Sequence, residues 1–341
     1  MSENSKQLLT GSQVAVMACR DAGAQMMYGY PITPTSEVFS GWIQNDYPYL
    51  QTEDEVAAGF AVCGSVLAGK KTFTATAGPG HVLMQDALSM AEGMRLPFVA
   101  IVGQRGGPSS GTVIYSQQEV ILACFGGNGE GMRLVYSPAN LDELYQLTIK
   151  AFNDAWKYKF PAIVLTDGYL LKASAVFVKP KLLANISIQA PVAQSANVHL
   201  PSIYTLEEDL HEKLAKDKKD FDSARQYLEM AEEYMIDDAE ILIVAHGIVG
   251  ASAKQAVQDM RAQGKKVGLF RPISLRPFPK KSLNFVLTKI KKLYVVESAL
   301  GQLERLVREE IESDFSVQIK SLHYPALGIE PEEIVKMVNK N

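Results

Sequence analysis

Apolar positions along this chain follow two rhythms: helical spacing over long stretches and unbroken runs over short ones. In the first half the two alternate. Ser12 to Ala24 predicts a helix, Gln25 to Tyr30 a strand and Ser36 to Asn45 a second helix. Glu53 to Ala68 is rich in Ala and Gly and predicts a helix stopped at Gly69, a residue that readily takes the left-handed exit. Thr72 to Thr76 predicts a strand, after which Gly78-Pro79-Gly80 turns the chain into a helix from about Leu83 to Gly93. Phe98 to Val102 and Ala162 to Thr166 are continuously apolar and of strand length, so each predicts a strand covered on both faces. Between them lie a polar, glycine-rich loop, Gly103 to Gly111, and a helix over Leu141 to Lys157. Strands alternating with helices in this way predict an α/β fold with a parallel sheet.

The rhythm dissolves from Ala173 to about Pro201, which reads as a surface linker. Leu206 to Glu233 is a long, highly charged helical segment, equally compatible with a bracing arm, a partner-contacting helix or a solvated helix. A second α/β unit starts at Ala239. Its predicted elements are strand Ile241 to Ala245, a glycine turn Gly247 to Gly250, helix Ala251 to Gln263 and strand Lys266 to Phe270. Helix Lys281 to Lys289, strand Leu293 to Glu297 and helix Gln302 to Ile311 complete it.

Composition narrows the function. With 341 residues, 47% hydrophobic and 21% charged, the chain is an ordinary globular one with room for two domains. Its formal net charge of −4 leaves no electrostatic footprint for nucleic acid. The lysines at 213–219 and 289–292 are interleaved or flanked by acids, as on a solvated face. No stretch reaches the roughly 18 apolar residues of a membrane helix, and Met1 to Lys6 carries no apolar signal-peptide core. A cytoplasmic protein is expected. The three cysteines (Cys19, Cys63, Cys124) and five histidines are scattered without metal-ligand spacing, so no metal or cluster is expected on this chain.

Four short motifs carry chemistry. In Gly29-Tyr30-Pro31-Ile32-Thr33-Pro34, two prolines stiffen a turn that displays the Thr33 hydroxyl. Ser36 and Glu37 after it open a helix whose amino terminus favours an anion. Gln51 to Gly59 places Glu53, Asp54 and Glu55 at the start of an apolar helix, where an acid either complements the dipole or serves as a proton donor or acceptor in an apolar cleft. The turn Gly78-Pro79-Gly80 lets another backbone come close. Gln104-Arg105-Gly106-Gly107-Pro108-Ser109-Ser110-Gly111 closes a strand with a guanidinium suited to a carboxylate, on a loop of small residues that leaves it little to pack against.

In this order the motifs resemble the α subunit of 2-oxoacid:ferredoxin oxidoreductases, a family with pyruvate, 2-oxoglutarate and branched-chain 2-oxoacid members. The likeness extends through Phe160 to Asp167, Pro277-Phe278-Pro279, Val295-Val296-Glu297 and Gly301-Gln302-Leu303, nearly the whole chain. It implies a pyrimidine-binding thiamine diphosphate domain over residues 1–175, a linker and charged arm over 176–237, and a transketolase C-terminal-like α/β domain over 238–341. It further implies a cofactor shared with a β subunit that holds the Gly-Asp-Gly magnesium–diphosphate site and a [4Fe-4S] cluster, with γ and δ subunits in some members. Ferredoxin, coenzyme A and a 2-oxoacid are the implied partners and substrates. This chain has no Gly-Asp-Gly; the nearest stretch, Thr166-Asp167-Gly168 with Asn197 downstream, starts with the wrong residue and is expected to lead into linker.

By the same resemblance, Glu55, nine residues before Gly64, is the carboxyl that hydrogen-bonds the cofactor's N1′ and favours the imino tautomer needed for loss of the C2 proton. Arg105 and Thr33 hold the substrate carboxylate, and Tyr30, Pro31, Ile32 and Gly78 complete the cofactor and substrate wall. The Gln104 to Gly111 loop resembles the 2-oxoglutarate-type subunits more than the pyruvate type, although Thr112-Val113-Ile114 stands where that group usually has a proline–threonine pair. Pyruvate and branched-chain specificity are the alternatives, as is a non-catalytic scaffold subunit.

Overall fold

The computed structural model of the chain describes residues 6–180, 200–313 and 317–340. The first unit begins β1 (Lys6–Thr10), α1 (Gly11–Asp21), β2 (Met26–Gly29), α2 (Ser36–Gln44) and β3 (Tyr49–Gln51). It continues α3 (Glu55–Leu67), β4 (Thr72–Thr76), α4 (Pro79–Leu83), α5 (Gln85–Gly93), β5 (Val99–Gln104) and α6 (Val120–Phe125). It closes with β6 (Leu134–Tyr136), α7 (Leu141–Tyr158), β7 (Ala162–Asp167), α8 (Gly168–Lys172) and β8 (Ser174–Val178). The arm is α9 (Glu207–Leu228), followed by β9 (Ala231–Tyr234). The second unit is β10 (Ile241–Val244), α10 (Gly247–Ala262), β11 (Val267–Pro272), β12 (Ser274–Arg276) and α11 (Lys280–Leu287). Then follow β13 (Lys292–Glu297), α12 (Gln302–Glu310), β14 (Gln318–His323) and α13 (Pro331–Lys340).

The first unit is built on a sheet in the order β12-β6-β7-β5-β4-β2-β3, parallel except for β12 at its edge. Residues at alternate positions feed opposite cores. Met27, Phe73, Val99 and Val164 face α1, α2 and α7, whereas Ala100, Val102, Ile163 and Leu165 join Val62, Met84 and Leu88 of the α3 and α5 layer. That second core runs on into Leu242, Phe270, Leu293 and Val295 of the other unit. The second sheet, β14-β13-β10-β11-β9, is parallel apart from β9.

Several sequence expectations are revised. The α3 helix starts at Glu55 because Asp54, in extended conformation, caps it by accepting from the Ala57 amide at 2.7 Å, leaving Glu53 outside. The helix expected from Leu83 already starts at Pro79, with Met84 between α4 and α5. Within the expected linker, Ser174–Val178 is a strand paired antiparallel with β1; residues 181–199 of that segment, Asn197 included, lie outside the described residues. Asp167 caps α8, so the Thr166-Asp167-Gly168 stretch leads into a short helix. The charged arm ends at Leu228, and the residues after it form β9, an edge strand of the second sheet.

The arm braces the first unit. Phe221 is buried edge-on against Phe160 (5.2 Å between centroids), and the Arg95 guanidinium lies 3.9 Å over the same Phe160 ring while donating to Asp217 at 2.9 Å. A second anchor is Arg271 of β11, which is 3% exposed, takes Glu143 of α7 in a two-point fork (2.6 and 2.9 Å) and donates to Glu232 of β9 at 2.7 Å. No helix of the described residues is long and apolar enough to cross a membrane.

Candidate active site

The loops bearing the sequence motifs all leave the carboxyl edge of the first sheet. Thr33 follows β2, Glu55 follows β3, Gly78 to His81 follow β4 and Arg105 follows β5. The chain steps outward from β2 to β3 and then back to β4 on the other side of β2, so the loops surround a reversal of winding. Crevices of this kind are where open α/β sheets hold ligands.

Glu55 is 5% exposed, and burial raises its carboxyl above the ordinary range, its own backbone amide and the nearby Arg105 acting the other way. No side chain among the described residues donates to it. Its Oε1 lies against Gly80, where an added Cβ would sit 2.2 Å from it and 2.4 Å from Thr76 Oγ1. The Thr76 hydroxyl is itself buried without a hydrogen-bond partner. Glycine at position 80 therefore makes room for the acid.

Arg105 is 6% exposed, not left standing free on its loop as the run of small residues had implied. It lies along Gly78, whose φ of +51° favours glycine and where a Cβ would sit 2.6 Å from Arg105 Nε. Nη1 donates to the Thr33 carbonyl at 2.7 Å, while Nε is buried without a partner. Thr33 thus meets the arginine through its backbone, and its hydroxyl makes no hydrogen bond among the described residues. Tyr30 and Pro31 are exposed and Ile32 is half-buried; they form the rim, and the Ile32 carbonyl accepts from the Thr35 amide and hydroxyl. Pro34 and Thr35 pack over Gly103 at the end of β5. Glu37 pairs with Lys172.

Sequence reasoning missed Glu119. This acid, 5% exposed just ahead of α6, accepts from the amides of Gly78 (2.9 Å) and Arg105 (2.8 Å) through Oε1 and meets His81 Nδ1 at 2.8 Å through Oε2. The available signals were the His81 beside the Gly-Pro-Gly turn and the polar run Ser116 to Glu119 before an apolar helix. Cavities of about 420 and 450 Å³ lie along α9 and α5, lined by Leu210, Leu214 and Met90, away from Glu55 and Arg105. At the carboxyl ends of β4 and β5, Thr76 Oγ1, Gln104 Oε1 and Arg105 Nε are among the buried polar atoms without a partner. Among the described residues, no cluster of three or more His, Cys, Asp or Glu could hold a metal ion.

Residues 17–238 match the family described as pyruvate flavodoxin/ferredoxin oxidoreductase, thiamine diphosphate-binding, and residues 239–327 match pyruvate:ferredoxin oxidoreductase core domain II. The chain belongs to the 2-oxoacid:ferredoxin oxidoreductase family. The ketoisovalerate oxidoreductase subunit VorB of Methanothermobacter thermautotrophicus is 31% identical over 313 residues, covering 89% of each chain. The 2-oxoglutarate:ferredoxin oxidoreductase of Magnetococcus marinus, solved with 2-oxoglutarate, coenzyme A and succinyl-CoA bound, superposes with a TM-score of 0.91 at 26% identity. That match covers 99% of this chain and 65% of the longer one. A split-gene transketolase in an inactive β4 tetramer shares the fold over 97% of this chain and 96% of its own, with TM-score 0.62 and 14% identity. The expected architecture, a thiamine diphosphate-binding parallel-sheet domain followed by a transketolase-like α/β domain, is the one observed.

Proposed function

We propose that this chain is the α-type subunit of an enzyme that oxidatively decarboxylates 2-oxoglutarate to its acyl-coenzyme A and CO₂, delivers the electrons to ferredoxin, and works only with a β-type subunit. The observation that carries this reading is a buried carboxyl without a side-chain partner, Glu55, set across a glycine turn from a guanidinium with donors to spare, Arg105. A scaffold subunit requires neither.

The residues fit thiamine diphosphate. When bound, the cofactor supplies the nucleophilic carbon for the 2-oxo group and a sink for the electron pair left by departing CO₂. Glu55 holds a proton at the ring nitrogen N1′, and its upward-shifted pKa suits a carboxyl that shares a proton. The backbone at Gly78 and Gly80 gives the ring close approach, with Tyr30, Pro31 and Ile32 as the outer wall. Arg105 spends one donor on Thr33, which aims the rest of its fork at a substrate carboxylate, and the free Thr33 hydroxyl adds a further donor. Magnesium, the diphosphate and the [4Fe-4S] cluster are assigned to the β-type subunit, since this sequence contains no Gly-Asp-Gly. The likeness to a 2-oxoglutarate enzyme supports that substrate, and the ketoisovalerate relative makes branched-chain acids the sharpest competitor.

Affinity purification of the tagged chain from its own cells tests the whole reading. A co-purifying partner with thiamine diphosphate and brown cluster absorbance is expected. The complex should reduce a viologen dye fastest with 2-oxoglutarate and coenzyme A. Faster turnover of pyruvate or 2-oxoisovalerate would overturn the substrate, and a complex inert to all three would overturn the enzyme.

A further inference from the structure

We propose that Glu119 is a positioning residue that sets the reach of Arg105, and that the second unit holds it in place; this rests on the carboxylate-binding role given to Arg105 above. Where β4 and β5 end, the parallel ladder stops and the amides of Gly78 and Arg105 lose their strand partners inside the protein. One carboxylate oxygen, Glu119 Oε1, takes both, at 2.9 and 2.8 Å. Buried donors left unpaired are strongly unfavourable, so the two loops are fastened to a common point. The Arg105 side chain then runs along Gly78 and reaches the Thr33 carbonyl at 2.7 Å. The spacing between the glycine backbone and the guanidinium follows from that shared oxygen. His81 Nδ1, 2.8 Å from Oε2, keeps the carboxyl from rotating away.

The segment carrying Glu119 belongs to the first sheet's loops but is tied to the second unit. Ser116 Oγ and the Gln117 amide both donate to the Ser298 carbonyl at 3.0 Å, and the Ser298 amide returns a bond to Gln117 Oε1 at 3.0 Å. Gln302 of α12 donates to the Gln118 carbonyl (2.6 Å) and accepts from the Ile121 amide (3.0 Å). Residues on both sides of Glu119 are therefore held by the end of β13 and the start of α12, and the acid links that clamp to the Arg105 amide, while Gln118 Oε1 accepts from the Gly107 amide of the same loop at 3.3 Å.

A purely structural acid and a positioning acid differ in additivity. Steady-state kinetics on the purified complex, using whichever of 2-oxoglutarate, pyruvate and 2-oxoisovalerate it turns over fastest, would compare Glu119→Ala, Arg105→Ala and the double variant. Glu119→Ala is expected to raise KM for the 2-oxoacid about tenfold or more with a smaller change in kcat, and the double variant to match Arg105→Ala within about twofold. Multiplying effects, or an unchanged KM in Glu119→Ala beside a raised one in Arg105→Ala, would overturn the inference and leave the arginine's role standing. An unchanged KM in Arg105→Ala would overturn both. Should Glu119→Ala fail to assemble, Glu119→Asp, which withdraws the acceptor by one methylene, is expected to raise KM at least about threefold more than the isosteric Glu119→Gln. Equal values for the two would count against it.

Discussion

The carboxyl of Glu55 fills the space directly over the backbone of Gly80: a Cβ on Gly80 would lie 2.2 Å from its Oε1 and 2.6 Å from its Cδ. The acid is positioned by an absence of side chain 25 residues further along. Gly80→Ala should therefore push the carboxyl off its position, and displacement of about 1 Å at a reacting group commonly lowers turnover about 10²-fold. Turnover of the assembled complex, with partner binding as the control, checks this.

Glu55→Gln keeps the shape and removes the proton exchange. It should lower kcat about 10²-fold or more while leaving assembly with the partner intact. Near-normal turnover would take the role away from Glu55; it would not pass to Glu53, which sits outside the helix.

Arg105→Ala removes a charge-assisted contact of about 2–3 kcal/mol, which corresponds to a KM for the 2-oxoacid raised about 30- to 150-fold. Arg105→Lys should recover only part of this, because an ammonium cannot hold both the Thr33 carbonyl and a carboxylate in one plane. Substrate titration of the three proteins decides it.

Asp167, wholly buried at the end of β7, has its carboxyl pushed up to about 7 by burial, against the helix-cap amides of Leu170 and Tyr169 that favour its charge. The folded state therefore holds a proton that the unfolded chain has already lost. That contribution is fully present below the unfolded value of about 3.8 and is lost as pH rises through about 7. Between pH 5 and pH 8 it should fall by about 3 kcal/mol, and Asp167→Asn, which can still cap α8, should flatten this part of the profile. Urea melts of both proteins across that range measure it.

Arg271→Met should destabilise the chain by about 3 kcal/mol, the low end for breaking buried pairs, because Glu143 and Glu232 keep side-chain exposures of 24% and 25%. Arg271→Lys should not restore the loss, since the fork to Glu143 needs two coplanar donors. Chemical denaturation is the measurement.

Several groups of the candidate site were legible from the residues. Restrictive neighbours made Thr33, Gly78 and Arg105 candidates, with prolines beside Thr33 and glycines after Arg105, whereas Glu55 was separated from Glu53 and Asp54 only by the family resemblance. What Arg105 touches was not. Its burial depends on Gly78 and Thr33, residues from two other loops, and small neighbours in sequence say nothing about neighbours in space. Glu119 was not singled out for the same reason: the amides it accepts from are 14 and 41 residues away, and a lone acid before a helix usually does no more than meet the dipole.

By itself the sequence determined the elements with strong periodicity, the order of the loops and the chemical groups on them. Those follow from φ restrictions and apolar spacing, which act over a few residues. Tertiary structure alone decided that β1 pairs with β8, that β12 crosses from the second unit to edge the first sheet, and that the arm docks through Phe221. These contacts join segments with little local preference, and their stability comes from pairing and burial that exist only once the chain has closed on itself. The acid that ties the glycine turn to the arginine belongs to this second class. The groups proposed for catalysis are written in the chain, and the distance between them is set by the fold.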